Sequence, residues 1–220
     1  MRLRLIDSNP VLGRLGKQEG LPSPRRKRPH SPLTMSQLKR LAGATGEWEG
    51  LILLAGTSGP RWGELTALRG GDVRGDRLRI ERAWSNVHGR LELGQVKSKE
   101  PRTVPILPSV AEKLPEVDPM DLLWRGPRGG VLRNGWFRER VLEPAIEECQ
   151  AEDPLFPSIV IHDLRHTAVS IAIASGANVK VVQRLAGHAT AMLTLDTYGG
   201  MFDRDLFDMA GQLDAAYRAA

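Results

Sequence analysis

The chain has 220 residues with 31 Lys and Arg against 26 Asp and Glu, a net charge of +5; that length suits one ordinary domain with a short appendage, and it can bury a core without disulfide or metal staples. The single cysteine, Cys149, excludes an intramolecular disulfide and a CxxC metal cage, which fits a reducing compartment. No apolar run approaches the roughly 20 residues of a membrane span, and MRLRLIDSNP lacks the apolar stretch of a signal peptide, so a cytoplasmic location is expected.

Residues 1–20 are too few for a domain and read as the tail of a preceding one. Residues 21–32, LPSPRRKRPHSP, combine four prolines with a basic run and read as a linker. Within it, Arg25, Arg26, Lys27 and Arg28 are either a solvated charge run or a strap along DNA phosphates. The folded domain is expected over 33–220. Thr34 and Gln37 form a capping box, with Leu33 and Leu38 as its hydrophobic staple, opening a helix to about Ala44. A second helix runs from about Glu47 to Ser58 and closes at Gly59. A third, short one carries Arg61 to Leu65 and stops near Gly70-Gly71.

Alternation then predicts three strands, 77–84, 90–96 and 102–107, with turns at Gly89 and at Ser98-Lys99-Glu100-Pro101. Helical pattern resumes at about 109–115, 134–150, 163–175 and 179–187, the last capped by Asn178. Leu206, Met209, Ala210, Leu213, Ala216 and Tyr217 fall on one face of a final helix. The expected class is α+β: a mostly helical domain with a small three-stranded antiparallel sheet.

Composition narrows the chemistry. Arginine supplies 24 of the 31 basic residues, which favours planar, bidentate contacts to phosphate or carboxylate, although base composition of the genome produces the same bias. Aromatics at 5% argue against a single-strand binder built on stacking platforms. A duplex reader or a phosphate-handling enzyme fits better. In His162-Asp163-Leu164-Arg165-His166, a histidine and an arginine sit at a helix start, where free N–H groups favour an anion. Gly187-His188 follows, and ten residues beyond that histidine comes Tyr198. Singly, each has an ordinary explanation: a surface helix start, a core-edge tyrosine, an Arg61–Glu64 helix pair, a solvated turn lysine at Lys97.

Five motifs occur in a fixed order: TSGPRWGELTALR with Arg61, QVKSKEPRTVPI with Lys97, HDLRHT, AGH and LDTYGG. In that order the chain resembles the catalytic domain of the tyrosine recombinase, or phage integrase, family over residues 31–205. The resemblance implies that Arg61 and Arg165 bind the scissile phosphate, with Glu64 accompanying the first arginine. It makes Lys97 the hairpin lysine and general acid, His162 and His188 the active-site histidines, and Tyr198 the nucleophile. Three positions depart from the pattern: Pro60 before Arg61, Ala186 in place of the leucine of LGH, and Gly200 where a histidine often follows the tyrosine. The larger departure is N-terminal. The family carries a core-binding domain there, so the chain is expected to be an excised catalytic domain or a shortened gene product.

These residue types suit the reaction. Two arginines stabilise charge on the non-bridging oxygens, a tyrosine attacks phosphorus while His162 takes its proton, and an acid protonates the departing 5′-oxygen. One ester replaces another, so no cofactor and no metal are expected. The implied function is a site-specific recombinase that cleaves and rejoins duplex DNA through a 3′-phosphotyrosine. Two alternatives are a catalytically idle DNA-binding remnant and an enzyme like a type IB topoisomerase. Expected partners are duplex DNA, touched also by Arg25–Arg28, Lys99 and Arg102, copies of the chain in a tetramer docked through the C-terminal helix, and an accessory DNA-bending protein. A membrane is not among them.

Overall fold

Helix α1 (Met35–Ala44) opens as the sequence predicts, with Thr34 Oγ1 accepting from the Gln37 N–H and Gln37 Oε1 accepting from the Thr34 N–H. A computed structural model of the chain describes residues 31–96, 100–202 and 204–219. The tail and linker through His30, the basic run Arg25–Arg28, and both Lys97 and Lys99 lie outside the described residues.

The centre of the domain is α2 (Glu49–Ser58), preceded by a 3-10 turn at Gly46–Trp48. Its apolar run, Leu51 to Ala55, is buried on every side, as a helix apolar all round must be. It packs on α1 and on α7 (Ile161–Ala174). Further bonds fasten these layers: the Leu33 N–H donates to Thr167 Oγ1 at 3.0 Å, and Ser58 Oγ donates to the Pro105 carbonyl at 2.8 Å. After α2 comes the short α3 (Trp62–Leu65). Trp62, its first residue, meets the buried ring of Phe137 at 5.1 Å, tilted by 43°, and Phe137 also meets Trp48 edge-on at 5.5 Å.

The expected strands are present but partitioned differently. Strands β1 (Val73–Arg74), β2 (Arg77–Ile80) and β5 (Arg102–Pro105) form an antiparallel three-stranded sheet in the order β1-β2-β5, with Leu78 opposite Val104. Strands β3 (Arg82–Val87) and β4 (Arg90–Gln95) form a separate hairpin, closed by the two-residue turn His88-Gly89. The predicted strand 77–84 is therefore two strands meeting at Glu81, whose carbonyl accepts from the Val96 N–H. Burial explains the division: Leu78 and Ile80 point into the core, whereas the hairpin exposes both faces toward its tip.

The remaining elements are helices: α4 (Pro108–Ala111), α5 (Asn134–Phe137), a π-helical turn at Arg138–Leu142, then α6 (Glu143–Glu152). Pro144, with no N–H to donate, stands just beyond the widened turn. After α7 come α8 (Val179–Ala186), α9 (Ala191–Phe202) and α10 (Arg204–Ala219). Asn178 caps α8 as predicted, accepting from the Lys180 and Val181 N–H groups. Helix α9 has no counterpart in the sequence reading. Its threonines and the pair Gly199-Gly200 disfavour an isolated helix; packing of Tyr198 and Thr194 against α7 and α8 carries it.

Candidate active site

Two left-handed glycines set the site. Gly59 (φ 67°) ends α2 and Gly187 (φ 58°) ends α8, a conformation that costs other residues about 1–2 kcal/mol. Each turns its carbonyl toward an arginine. Arg165 Nη1 donates to the Gly59 carbonyl at 2.7 Å, and its Nη2 donates to the carbonyl of Ala186. Arg61 Nη2 donates to the Gly187 carbonyl at 3.3 Å. The guanidinium of Arg165 thus bridges the C-terminal ends of two helices, where the helix dipoles favour a cation. Burial first, then the neighbouring Arg61, brings its pKa down to about 9, so it keeps its charge at neutral pH.

Beneath the arginines lies Glu64, 1% exposed. Its carboxylate accepts from the Arg61 backbone N–H (2.8 Å), Arg61 Nη1 (3.0 Å), Arg102 Nη1 (3.1 Å) and Arg102 Nη2 (2.6 Å). Burial alone would raise the Glu64 pKa; the Arg102 bonds and charge, with those of Arg61, instead hold it below the ordinary value. Arg102, expected at the DNA, directs both terminal nitrogens to this carboxylate and packs under Gly187, where a Cβ would stand 2.9 Å from its guanidinium. Arg61 is the more open arginine, its side chain 31% exposed. Of the five N–H donors each guanidinium carries, Arg61 and Arg165 each commit two to these protein acceptors.

The two histidines and the tyrosine complete the cluster. His188 follows Gly187, and its Nδ1 lies 3.0 Å from Thr194 Oγ1. Burial, then Arg165, Arg61 and Arg102, lower its pKa to about 4. It is neutral at pH 7; in the tautomer whose Nδ1 accepts from the Thr194 hydroxyl, Nε2–H is left as a donor. Tyr198 on α9 is buried, which pushes its pKa up to about 12, opposed by the charge of Arg165. Its hydroxyl lies 2.5 Å from Nδ1 of His166, also buried. His162 stands one turn earlier on α7, exposed, its ring edge-on to His166 at 5.0 Å.

The structure therefore brings together Arg61, Glu64, Arg165, His188 and Tyr198, with His162 on the same helix face as His166. Three residues escaped the sequence reading. His166 was hidden as the fourth residue after His162 inside a helix, although that spacing itself puts both on one face. Lys180 and Arg184, exposed on α8, line a cleft of about 610 Å³ with Arg102, Gln183 and His188; their four-residue spacing was the available signal.

No family model matches the chain. It is similar to the prophage phiRv2 integrase of Mycobacterium tuberculosis, 27% identical over 206 residues, 85% of this chain and 50% of that protein. It is similar also to tyrosine recombinase XerC of Mesorhizobium japonicum, 28% identical over 189 residues, 77% of this chain and 55% of the relative. The chain thus spans about half the length of the curated relatives it matches. Among solved structures, the Tn1549 transposon integrase in complex with a circular intermediate DNA shares the fold, with a TM-score of 0.67, 17% identity, and 81% of this chain on 67% of that one. The catalytic domain of bacteriophage HP1 integrase aligns with a TM-score of 0.53 and 25% identity, over 78% of this chain and 88% of that domain. Motif order, fold and relatives agree: the chain is similar to tyrosine recombinases and shares the fold of their catalytic domains.

Proposed function

We propose that residues 33–220 are the catalytic domain of an integrase-like, site-specific recombinase that breaks and rejoins duplex DNA through a 3′-phosphotyrosine. The observation that carries this reading is the convergence of Arg61, Arg165, His188 and Tyr198 around one charged cluster anchored on Glu64. Arg61 and Arg165 grip the non-bridging oxygens of the scissile phosphate with their uncommitted N–H groups and stabilise charge gained in the transition state. His188, neutral and oriented by Thr194, adds a hydrogen bond to the same phosphate. Tyr198 attacks phosphorus, and its proton is drawn off toward His162 at the open end of α7. Lys97 protonates the departing 5′-oxygen. Reversal by a 5′-hydroxyl of a second strand completes the exchange, with no energy source beyond the ester itself.

Duplex DNA is the partner. The cleft of Lys180 and Arg184 lies beside His188 and suits phosphates flanking the scissile one, with Lys99 and Arg25–Arg28 as further contacts; Arg102, held by Glu64, is not among them. Helix α10 presents Met209, Leu213 and Tyr217 exposed, and this apolar stripe is the surface through which copies assemble as a tetramer on DNA, with an accessory bending protein shaping the site. Among the described residues no helix is long and apolar enough to cross a membrane; work on chromosomal or phage DNA puts the protein in the cytoplasm.

The test uses a pool of nicked suicide duplexes of randomised sequence, on which a cleaved strand cannot be religated. The chain should form an adduct stable to denaturing electrophoresis, and Tyr198→Phe should abolish it while DNA retention is unchanged. An adduct formed equally by the Phe variant removes Tyr198 as nucleophile; binding without any adduct favours the idle remnant.

A further inference from the structure

The attacking oxygen has a neighbour that the proposed mechanism does not yet use. Tyr198 Oη lies 2.5 Å from His166 Nδ1, with the two rings 5.6 Å apart and inclined at 50°. Both residues are about 5% exposed, so water does not compete for this contact. His166 follows Arg165 directly, so the residue that bridges α2 and α8 also fixes the backbone from which His166 reaches α9. On its far side His166 meets the edge of His162, which is open to solvent. The Tyr198 hydroxyl is thus held in a dry cluster facing Arg165, His166 and, beyond it, His162, where burial holds its proton on. A phenol so placed must lose its proton to a group already in contact with it.

We propose that His166 is a further catalytic residue of this site, its Nδ1 accepting the Tyr198 proton as the phenolic oxygen attacks phosphorus. This rests on the recombinase reading above. In the step, the Tyr198 O–H bond breaks and its electron pair forms the O–P bond. The P–O5′ bond breaks with its pair going to the 5′-oxygen, which takes a proton from Lys97. His166 becomes an imidazolium beside the new phosphotyrosine. In the reverse step it returns the proton to Tyr198 as the incoming 5′-hydroxyl displaces the phenol and gives its own proton to Lys97. Acceptance at Nδ1 requires the tautomer with hydrogen on Nε2. His162, outside this pair, draws the charge toward solvent.

Two measurements test this. In the DNA-free chain labelled with 15N-histidine, the five histidines are separable, and His166 should show a bare Nδ1 and a protonated Nε2. A His166 protonated on Nδ1 in its neutral form overturns the proposal without any substitution. The second uses the randomised suicide pool with His166→Asn and His166→Gln. Asparagine can hold a polar atom near the Nδ1 position but cannot take the proton, so the rate of adduct formation should fall about 10²- to 10⁴-fold. The acid limb of the pH–rate profile should vanish with it, which a merely structural role would not produce. Glutamine, placing its amide nearer Nε2, should be as slow. If wild type reacts and His166→Asn reacts within threefold with the same pH profile, the proposal is wrong while the recombinase reading stands. If wild type forms no adduct with the pool, that reading fails and the proposal with it.

Discussion

Glu64→Gln is the substitution with the largest consequence for its size, because it exchanges one oxygen for an amide and nothing else. The carboxylate accepts four hydrogen bonds, two from Arg61 and two from Arg102. In the glutamine variant half of the acceptor set becomes an NH2 facing guanidinium donors. Arg61 is partly exposed and can turn to water, but the Arg102 side chain is 11% exposed and is left as a buried, unneutralised cation. Breaking a buried pair from one side costs about 3–5 kcal/mol, which is a fifth or more of the roughly 5–15 kcal/mol that holds an ordinary domain together. For a domain of this size the melting temperature should fall by about 6–20 °C. Urea unfolding followed by tryptophan fluorescence gives the free energy directly. Two controls sharpen the result. Adding Arg102→Met removes the orphaned charge, so the double variant should recover part of the loss. The Glu64 pKa is depressed in the folded state, so its stabilisation is present above the ordinary carboxylate range and is lost as pH falls through the folded value; the gap between wild type and Glu64→Gln should therefore close in acid. A Glu64→Gln protein within about 0.5 kcal/mol of wild type at pH 7, the scatter of ordinary surface substitutions, would refute the assignment of this carboxylate as the anchor of the cluster.

Gly187→Ala forces a left-handed residue to carry a Cβ that stands 2.9 Å from the Arg102 guanidinium; it should cost about 1–2 kcal/mol, seen as a lower urea midpoint, and should slow adduct formation by moving the carbonyl that holds Arg61. The His188 pKa is depressed to about 4, so its contribution to stability is complete above its unfolded value near 6.5 and disappears as pH falls toward 4. A shift of that size is worth about 3 kcal/mol at full strength, cut to the order of 1–2 kcal/mol by solvent at this half-buried ring; His188→Gln should flatten the unfolding free energy between pH 6.5 and 4, and an unchanged slope would contradict it. Lys97→Ala should slow cleavage of normal DNA far more than cleavage of a 5′-bridging phosphorothiolate, whose sulfur leaves without protonation; equal defects on both would remove Lys97 as the acid.

The helices that open on a side-chain cap, and the one that closes on Gly59, were legible from sequence, because Thr34 with Gln37, Asn178 and Gly59 act on their nearest neighbours in the chain. The strands were legible as strands but not as partners. Nothing local at Glu81 distinguishes a continuous strand from two, and the choice is made by which side chains the core accepts. Helix α9 was invisible for the same reason: its glycines and threonines give no local helical signal, and its order comes from burying Tyr198 against α7 and α8. In the site, motif order identified Arg61, Arg165, His188 and Tyr198, whose roles remain for the experiments above. It could not show that Arg102 turns inward to Glu64, since an arginine on an edge strand faces solvent or core according to a neighbour 38 positions away. His166 was passed over because its importance lies in what α9 brings to it.

The bridge made by Arg165 between the ends of α2 and α8 has a consequence for target choice. Both of its carbonyl acceptors, and the Glu64 carboxylate and Gly187 carbonyl that hold Arg61, are supplied by the protein itself, so the phosphate grip is assembled before any nucleic acid arrives. A preformed grip gains affinity for every phosphodiester alike, because ordering it does not depend on which bases surround the phosphate. Discrimination between sequences must then reside in steps that follow phosphate capture, and a duplex of the wrong sequence should be held nearly as well as the right one yet be released uncut.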